Sequence, residues 1–233
     1  MRDFLIGLLE STLSRARVPI SHLRESIRDS TASIQSKIED CEKRGLLRCV
    51  DDWIEVDSNQ RLMLAIEALK AEADVGRVCR VLDWREFEEL ASKALEANGF
   101  SVTKHLMFKH SGHRYEIDVV GSKEPLLICA DCKHWKSGLG RRRIQNAARK
   151  QFERMRSLAE EMPRQASRLG ITAWNRVVIL PTVITLSDTT RGLHEGIPIV
   201  PMLRLRSFLK ELNPLDRELA TITVDLKTHS LIA

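Results

Sequence analysis

Two short runs decide the fold of this chain: Tyr115–Gly121, which reads YEIDVVG, and Leu126–Lys133, which reads LLICADCK. Both are rich in the β-branched and apolar residues that favour strands, and Gly121 to Pro125 between them have the composition of a turn. The pattern therefore predicts two neighbouring antiparallel strands joined by a tight connection.

Acidic side chains gather on these two strands. Residues two apart on a strand point to the same face, so Glu116 shares a face with Asp118, and Asp131 shares one with Lys133. With the turn centred on residues 123 to 125, Asp118 lies opposite residue 130 or 131. Carboxylates this close together repel one another unless a cation compensates them. The two strands therefore predict a cation site that has a lysine beside it.

Magnesium fits such a site, because it prefers carboxylate oxygens, waters and a phosphate oxygen. We expect Asp118 and Asp131 to bind Mg²⁺, for which Mn²⁺ can substitute, and Lys133 to orient or activate a water. Glu116 either joins the metal site or faces solvent. The alternative is a solvated strand face on which Lys133 forms an ion pair of little energetic value with Asp118 or Asp131.

The segments around the hairpin predict a mixed α/β domain. A helix capped by Asp83 precedes it, residues 100 to 109 favour a strand, and a long amphipathic helix runs from Arg141 to about Met162. Further strands are indicated at residues 176 to 186, 197 to 200 and 220 to 226, and a helix at residues 203 to 212. The order is αβββαββα with a mixed sheet, not the alternating order of a Rossmann fold.

The first 57 residues predict a separate small domain. Apolar residues at helical spacing mark three short helices, the second after Pro19 and the third capped by Asp29 or Ser30, and a hairpin follows around Asp51-Asp52. This is the plan of a winged-helix domain, and a helical dimerisation domain is the alternative. We expect a winged-helix-like domain at 1–57, a connecting helix at 58–82, broken near Gly76, and the mixed α/β domain at 83–233.

Composition restricts the class of protein. The chain has 233 residues, of which 43% are apolar and 30% charged, and this excludes disordered and collagen-like proteins. Its longest apolar stretch, residues 177 to 186, is shorter than the roughly 20 residues of a membrane span, so we expect no membrane partner. Five cysteines, an odd number, favour free thiols in a reducing cytoplasm.

The net charge of +5 is concentrated in one segment. Residues 133 to 170 hold 11 Lys/Arg against 3 Asp/Glu, whereas residues 1 to 132 are net acidic. On the predicted long helix, Arg154 and the other cations are opposed only by Glu153 before Glu160, and uncompensated like charges favour a polyanionic partner. The residues expected to contact nucleic-acid phosphates are Lys136, Arg141, Arg142, Arg143, Arg149 and Lys150.

Three runs together resemble the PD-(D/E)xK nuclease superfamily: Trp84 to Glu88, Tyr115 to Gly121, and Cys129 to Trp135. Within it, the chain is most similar to the Mrr-like restriction endonucleases and the archaeal Holliday junction resolvases, over roughly residues 82 to 212. The resemblance implies a restriction-endonuclease-like αβββαβ core. It also implies Mg²⁺-dependent hydrolysis of DNA phosphodiesters to a 5′-phosphate and a 3′-hydroxyl.

The resemblance assigns roles residue by residue. Glu88 matches the helix glutamate that follows Phe, Asp118 matches the metal-binding aspartate of the second strand, and Asp131 and Lys133 match the acid and lysine of the third. It therefore implies Asp118, Asp131 and Glu88 as metal ligands. Gln151 matches a glutamine that many relatives place on the helix after the lysine.

The chain departs from the family pattern at two positions without losing a ligand. Ile117 stands where a proline often precedes the aspartate, and Asp131 stands where relatives often carry Glu or Gln. The tripeptide Asp225-Leu226-Lys227 repeats the acid-x-Lys pattern without an acidic neighbouring strand, so the tripeptide alone is not diagnostic. Cys129 and Cys132 form a CxxC pair, but three residues apart on a strand they point to opposite faces. We therefore expect buried small residues there in place of a zinc or redox site.

The predicted function is a Mg²⁺-dependent DNA endonuclease with restriction-type or structure-selective cleavage. The alternative is a non-catalytic winged-helix DNA-binding regulator that uses the nuclease fold as a scaffold. The sequence leaves open whether the substrate is a specific duplex site, methylated DNA, a junction or a flap. It also leaves open whether the chain forms a homodimer, whether the winged-helix-like part binds DNA or protein, and whether one metal ion binds or two.

Overall fold

The structure, a computed structural model, describes residues 1–13, 15–134, 141–186, 192–214 and 216–227. It divides into two compact units, Met1–Leu90 and Ala91–Ala233. Within the described ranges, no helix is long and apolar enough to cross a lipid bilayer.

The first unit combines helices with a small sheet. Its elements are α1 (Arg2–Ser11), β1 (Arg17–Pro19), α2 (Ile20–Ser26), α3 (Thr31–Lys43), β2 (Arg48–Val50), β3 (Trp53–Glu55), α4 (Ser58–Lys70), α5 (Val75–Arg80) and the start of α6 (Trp84–Glu96). The strands form an antiparallel sheet in the order β1-β3-β2. Ser30 caps α3 by accepting a hydrogen bond from the Ser33 N–H, as its residue type favours.

The expected three helices and hairpin are present at residues 1–57, with one addition. β1 pairs with β3, so the hairpin is the larger part of a three-stranded sheet. That this part is a winged-helix domain stays a prediction. The expected connecting helix at 58–82 is two helices. The break expected near Gly76 lies slightly earlier, at residues 71–74, because the Asp74 side chain caps α5 by accepting from the Arg77 N–H.

The second unit is built on one large mixed sheet, which confirms the predicted fold class. Its strands are β4 (Ser101–His110), β5 (His113–Lys123), β6 (Leu126–Lys133), β7 (Arg176–Thr185), β8 (Gly192–His194), β9 (Ile197–Pro201) and β10 (Ile222–Asp225). The order is β4-β5-β6-β7-β9-β8, and β10 pairs with β7. The pairs β6·β7 and β7·β9 are parallel, and the others are antiparallel.

Of the helices that the structure describes in this unit, the longest covers the core of the sheet. α7 (Arg141–Gln165) packs Met155, Leu158 and Met162 against apolar residues of β4 to β7, while α8 (Leu205–Glu211) follows a short 3₁₀ turn. β6 lies between β5 and β7, and its residues from Leu126 to Asp131 are all buried. This explains why β6 is apolar on both faces instead of alternating.

The predicted hairpin is present, with a shorter connection than expected. Gly121, Ser122 and Lys123 belong to β5, and only Glu124-Pro125, joined by a cis peptide bond, separate it from β6. The side chains of Leu95 and Phe100 pack closely over Gly121. A Cβ at this position would lie within 3.3 Å of both, so the small size of glycine suits this point of the strand. The three-residue strand β8 was not predicted, since so short a run has too few residues to show a pattern.

Candidate active site

The β5–β6 register brings Asp118 and Asp131 together. The ladder pairs Val119 with Ala130, so the next position sets Asp118 opposite Asp131, one of the two positions that the turn length predicted. One Asp118 oxygen, Oδ2, accepts a hydrogen bond of 2.7 Å from the Cys132 N–H. The two carboxylates thus lie side by side at the end of the paired region.

Two cations meet the carboxylate of Asp131. Lys133 Nζ lies 2.9 Å from its Oδ1 and 2.8 Å from its Oδ2, and Arg154 Nη1 lies 3.1 Å from Oδ1. The Asp131 side chain is only 4% exposed, so this is not the solvated strand face that was the alternative interpretation. The sequence predicted that a metal ion compensates the negative charge of the two aspartates. Lys133 and Arg154 supply part of that compensation.

Asp118 is less well compensated than Asp131. Burial and the neighbouring charge of Asp131 raise the pKa of the Asp118 carboxyl, while the Cys132 N–H and the charges of Lys133 and Arg154 act in the opposite direction. A divalent cation at this point would favour the ionised carboxylate, and two carboxylates with waters and a phosphate oxygen are a donor set that suits Mg²⁺. The residues present therefore fit the metal that the family implies.

The donor set from side chains is small. Among the described residues, no three His, Cys, Asp or Glu side chains gather in an arrangement that could hold a metal ion. Glu88 lies on α6 in the first unit and is 7% exposed, and its role as a ligand stays a prediction. Glu116 is about half exposed and lies 3.1 Å from Nδ1 of His105, which indicates a surface pair.

Gln151 and Arg154 on α7 form the layer behind the two acids. Gln151 is completely buried and donates from Nε2 to the Cys129 carbonyl oxygen at 2.8 Å. Its Oε1 accepts from Arg154 Nη1 at 2.7 Å, and the same nitrogen binds Asp131. The predicted position of Gln151 beside the site is therefore observed, and Arg154 connects it to Asp131.

From the sequence, Arg154 was only one cation of the basic helix, and its contact with Asp131 was not predicted. The spacing could have indicated it, because residues three apart on a helix lie on one face and Gln151 was already a candidate. The rest of the contact depends on how α7 docks on β6, which no local pattern shows.

The predicted phosphate contacts on α7 are solvent-exposed where the structure describes them. Arg142, Arg143, Arg149 and Lys150 are exposed, and none of the four forms an ion pair with another described residue. Lys136 lies outside the described residues. Arg141 begins α7, and its side chain is likewise outside the described part. The four described side chains form a strip of positive charge without an ion-pair partner in the described part of the chain.

Of the CxxC pair, which was expected to be buried, only Cys129 is fully buried. Cys129 is buried in the sheet core and Cys132 is partly exposed, and all five cysteines of the chain are free thiols. Burial raises the pKa of the Cys41 thiol to about 11 and that of Cys79 to about 12, and it also raises the pKa of Cys129. These three thiols are therefore poor nucleophiles near neutral pH.

We accordingly expect an aromatic disulfide reagent at pH 8 to modify only Cys49 and Cys132 in the folded protein. Both are partly exposed, although burial and Glu42 also raise the pKa of Cys49 and should slow its reaction. Counting released thiolate by absorbance checks this, and Cys132→Ser should lower the native count by one. Equal reaction of all five thiols before denaturation would contradict the described burial.

Comparison with known proteins finds a family whose model matches the stretch that holds these residues. A family model described as a restriction endonuclease, Mrr_cat, matches residues 79–155, a stretch that contains Asp118, Asp131, Lys133, Gln151 and Arg154. An uncharacterized protein of Archaeoglobus fulgidus is 31% identical over 130 residues, which cover 56% of this chain and 92% of that protein.

Two solved structures also show similarity. One is a protein of unknown function, AF1548, with 18% identity, a TM-score of 0.30 and coverage of 44% of this chain and 46% of that one. The other is the protein VC1899 from Vibrio cholerae, with 9% identity, a TM-score of 0.40 and coverage of 90% and 50%. The chain spans about half the length of these solved structures. By the match at residues 79–155 and its archaeal relative, the chain belongs to the restriction endonuclease family of the Mrr type.

Proposed function

We propose that this protein is a Mg²⁺-dependent endonuclease that hydrolyses phosphodiester bonds of DNA. The observation that supports the proposal most directly is the group of Asp118, Asp131 and Lys133 at the end of the β5–β6 ladder, inside the stretch matched by the family model. Two carboxylates and a lysine with these contacts are the parts that metal-assisted hydrolysis requires.

Each of the three residues has a role in this proposal. Asp118 and Asp131 would hold the metal, which when bound supplies positive charge to a phosphate oxygen. Lys133 Nζ, within 3 Å of both Asp131 oxygens, would position the attacking water and stabilise charge on the phosphate. Because Asp131 also contacts Arg154, it keeps one cation partner while Lys133 acts on the substrate.

The exposed cations of α7 support DNA as the substrate. Arg142, Arg143, Arg149 and Lys150 have no acidic partner among the described residues, and phosphate neutralisation by such side chains supplies most of the affinity for a nucleic acid. The free thiols are compatible with the reducing cytoplasm that we propose as the location. A homodimer is compatible with this function.

The test is cleavage of a supercoiled plasmid and of a four-way DNA junction by the full-length protein. We expect nicked or linear products with Mg²⁺ or Mn²⁺, none with EDTA, and a loss of product with Asp131→Ala. Asp131→Asn keeps the shape of the side chain and should give the same loss. It therefore distinguishes loss of the carboxylate from a defect in folding. Equal cleavage by the wild type and both variants would remove the proposed site.

Calorimetric titration with Mg²⁺ separates this proposal from a non-catalytic DNA-binding regulator. The nuclease should bind Mg²⁺ and lose that heat in Asp118→Asn, whereas a regulator needs no divalent cation. DNA binding without Mg²⁺ binding and without cleavage would favour the regulator.

A further inference from the structure

We propose that Arg154 binds a DNA phosphate beside the two aspartates and that Gln151 and Asp131 hold its guanidinium in the orientation for doing so. This inference rests on the proposed nuclease function and specifies how its substrate is held. It assigns a substrate-binding role to Arg154 and a positioning role to Gln151.

The hydrogen bonds of Arg154 are unevenly distributed over its guanidinium. Nη1 uses both of its N–H groups, one to Asp131 Oδ1 at 3.1 Å and one to Gln151 Oε1 at 2.7 Å. The other three N–H groups, on Nε and Nη2, make no hydrogen bond to any described residue. The side chain is 22% exposed, so a ligand in solution has access to part of it.

The unused edge has the geometry of an anion site. Nε and Nη2 of an arginine form a planar fork that matches two oxygens of a phosphate, and such paired bonds are stronger than those of a lysine. A guanidinium held at Nη1 by two acceptors has already lost most of its rotational freedom. It therefore binds a phosphate at a smaller entropic cost than a mobile surface arginine would.

The neighbours of Arg154 favour an anion from DNA over an internal partner. Arg154 contacts Asp131 through Nη1 alone, so it can keep this contact while its Nε–Nη2 edge binds a ligand. Lys150 lies four residues earlier on α7, one turn away on the same side, and is exposed. Arg154 and Lys150 thus present two cations on one side of α7, and Arg154 is the one that contacts Asp131.

Gln151 is the residue that fixes this arrangement. It is completely buried and anchored to the Cys129 carbonyl of β6, so its Oε1 has a fixed position for Arg154 Nη1. A leucine there would fill similar space but would leave Nη1 with Asp131 alone and leave the Cys129 carbonyl without this donor. The guanidinium would then be free to turn about its remaining contact.

The test measures affinity for a short fluorescent DNA duplex in EDTA, over a range of salt concentrations, and single-turnover cleavage in Mg²⁺. Arg154→Gln should weaken binding about 10- to 100-fold and lower the salt slope of log K by about one. Arg154→Lys should restore the slope but not the full affinity, because it keeps the charge and loses the fork. Gln151→Leu should weaken binding with an unchanged slope, since no charge is removed.

Arg156→Gln is the matched control, because Arg156 is exposed on the same helix, two residues away, and has no ion pair among the described residues. If Arg154→Gln and Arg156→Gln have the same affinity and slope while the wild type cuts DNA, the inference is wrong and the proposed function stands. A wild type that neither binds nor cuts DNA overturns both. Thermal unfolding of each variant shows that the comparison is between folded proteins.

Discussion

Replacing Lys133 by methionine should lower the rate of DNA cleavage about 10²- to 10⁴-fold, the range for loss of a positioned proton-transfer or charge-stabilising group. The ammonium lies 2.8 Å from Asp131 Oδ2, and methionine keeps much of the side-chain volume without the charge. Asp131 retains the contact with Arg154, so the fold should survive. DNA binding in EDTA should change far less than cleavage, which places the defect in the chemical step.

Two controls define this result. Lys227 stands in the other acid-x-Lys tripeptide, on an exposed segment after β10, so Lys227→Met should cleave at the wild-type rate. Lys133→Arg should remain impaired, because a planar guanidinium does not replace a compact ammonium at this distance. If Lys133→Met cleaves as fast as Lys227→Met, Lys133 has no part in the reaction.

The second large effect concerns stability. Arg61→Met should lower the free energy of unfolding by about 3 to 5 kcal/mol, as expected when one partner of a buried ion pair is removed. Arg61 is 7% exposed and Glu86 is 5% exposed, and Arg61 Nε lies 2.7 Å from Glu86 Oε1. The loss would leave the Glu86 carboxylate buried without its cation.

All five N–H groups of Arg61 have an acceptor. Beyond Glu86, they reach the carbonyl oxygen of Leu9 at 2.9 Å, that of Val81 at 2.6 Å and the hydroxyl of Thr12. Glu86 also accepts the Asp83 N–H, while Asp83 accepts the Glu86 N–H, and this reciprocal pair caps α6. Arg61 therefore joins α1, α4, the end of α5 and the start of α6.

Urea unfolding followed by circular dichroism measures this effect. Arg77→Met is the matched control, because its ion pair with Glu10 in the same unit is about half exposed and should be worth less than about 1 kcal/mol. The double variant Arg61→Met with Glu86→Gln should recover part of the loss, since it removes the uncompensated charge. Equal losses in the free energy of unfolding for Arg61→Met and Arg77→Met would show that burial does not make the contacts of Arg61 more stabilising than an exposed ion pair.

The sequence predicted the central hairpin well because strand periodicity and turn chemistry are local. Leu126–Lys133 was predicted with the bounds that β6 has, and the expected turn placed Asp118 opposite residue 130 or 131, of which the register selects Asp131. The break predicted near Gly76 is present but lies a few residues earlier, where the Asp74 side chain starts a new helix. A cap depends on one hydrogen bond, which composition alone does not reveal.

By itself, the sequence determined the mixed α/β class, the pair of aspartates with Lys133, and the basic segment that follows them. These depend on residues close together in the chain, where a period of two or 3.6 is visible. Only the tertiary structure decided that Arg154, 23 residues after Asp131, contacts it, and that Arg61 meets Glu86 across 25 residues. Such contacts depend on how one element docks and rotates against another, and that is set by packing of the whole core, which no local pattern encodes.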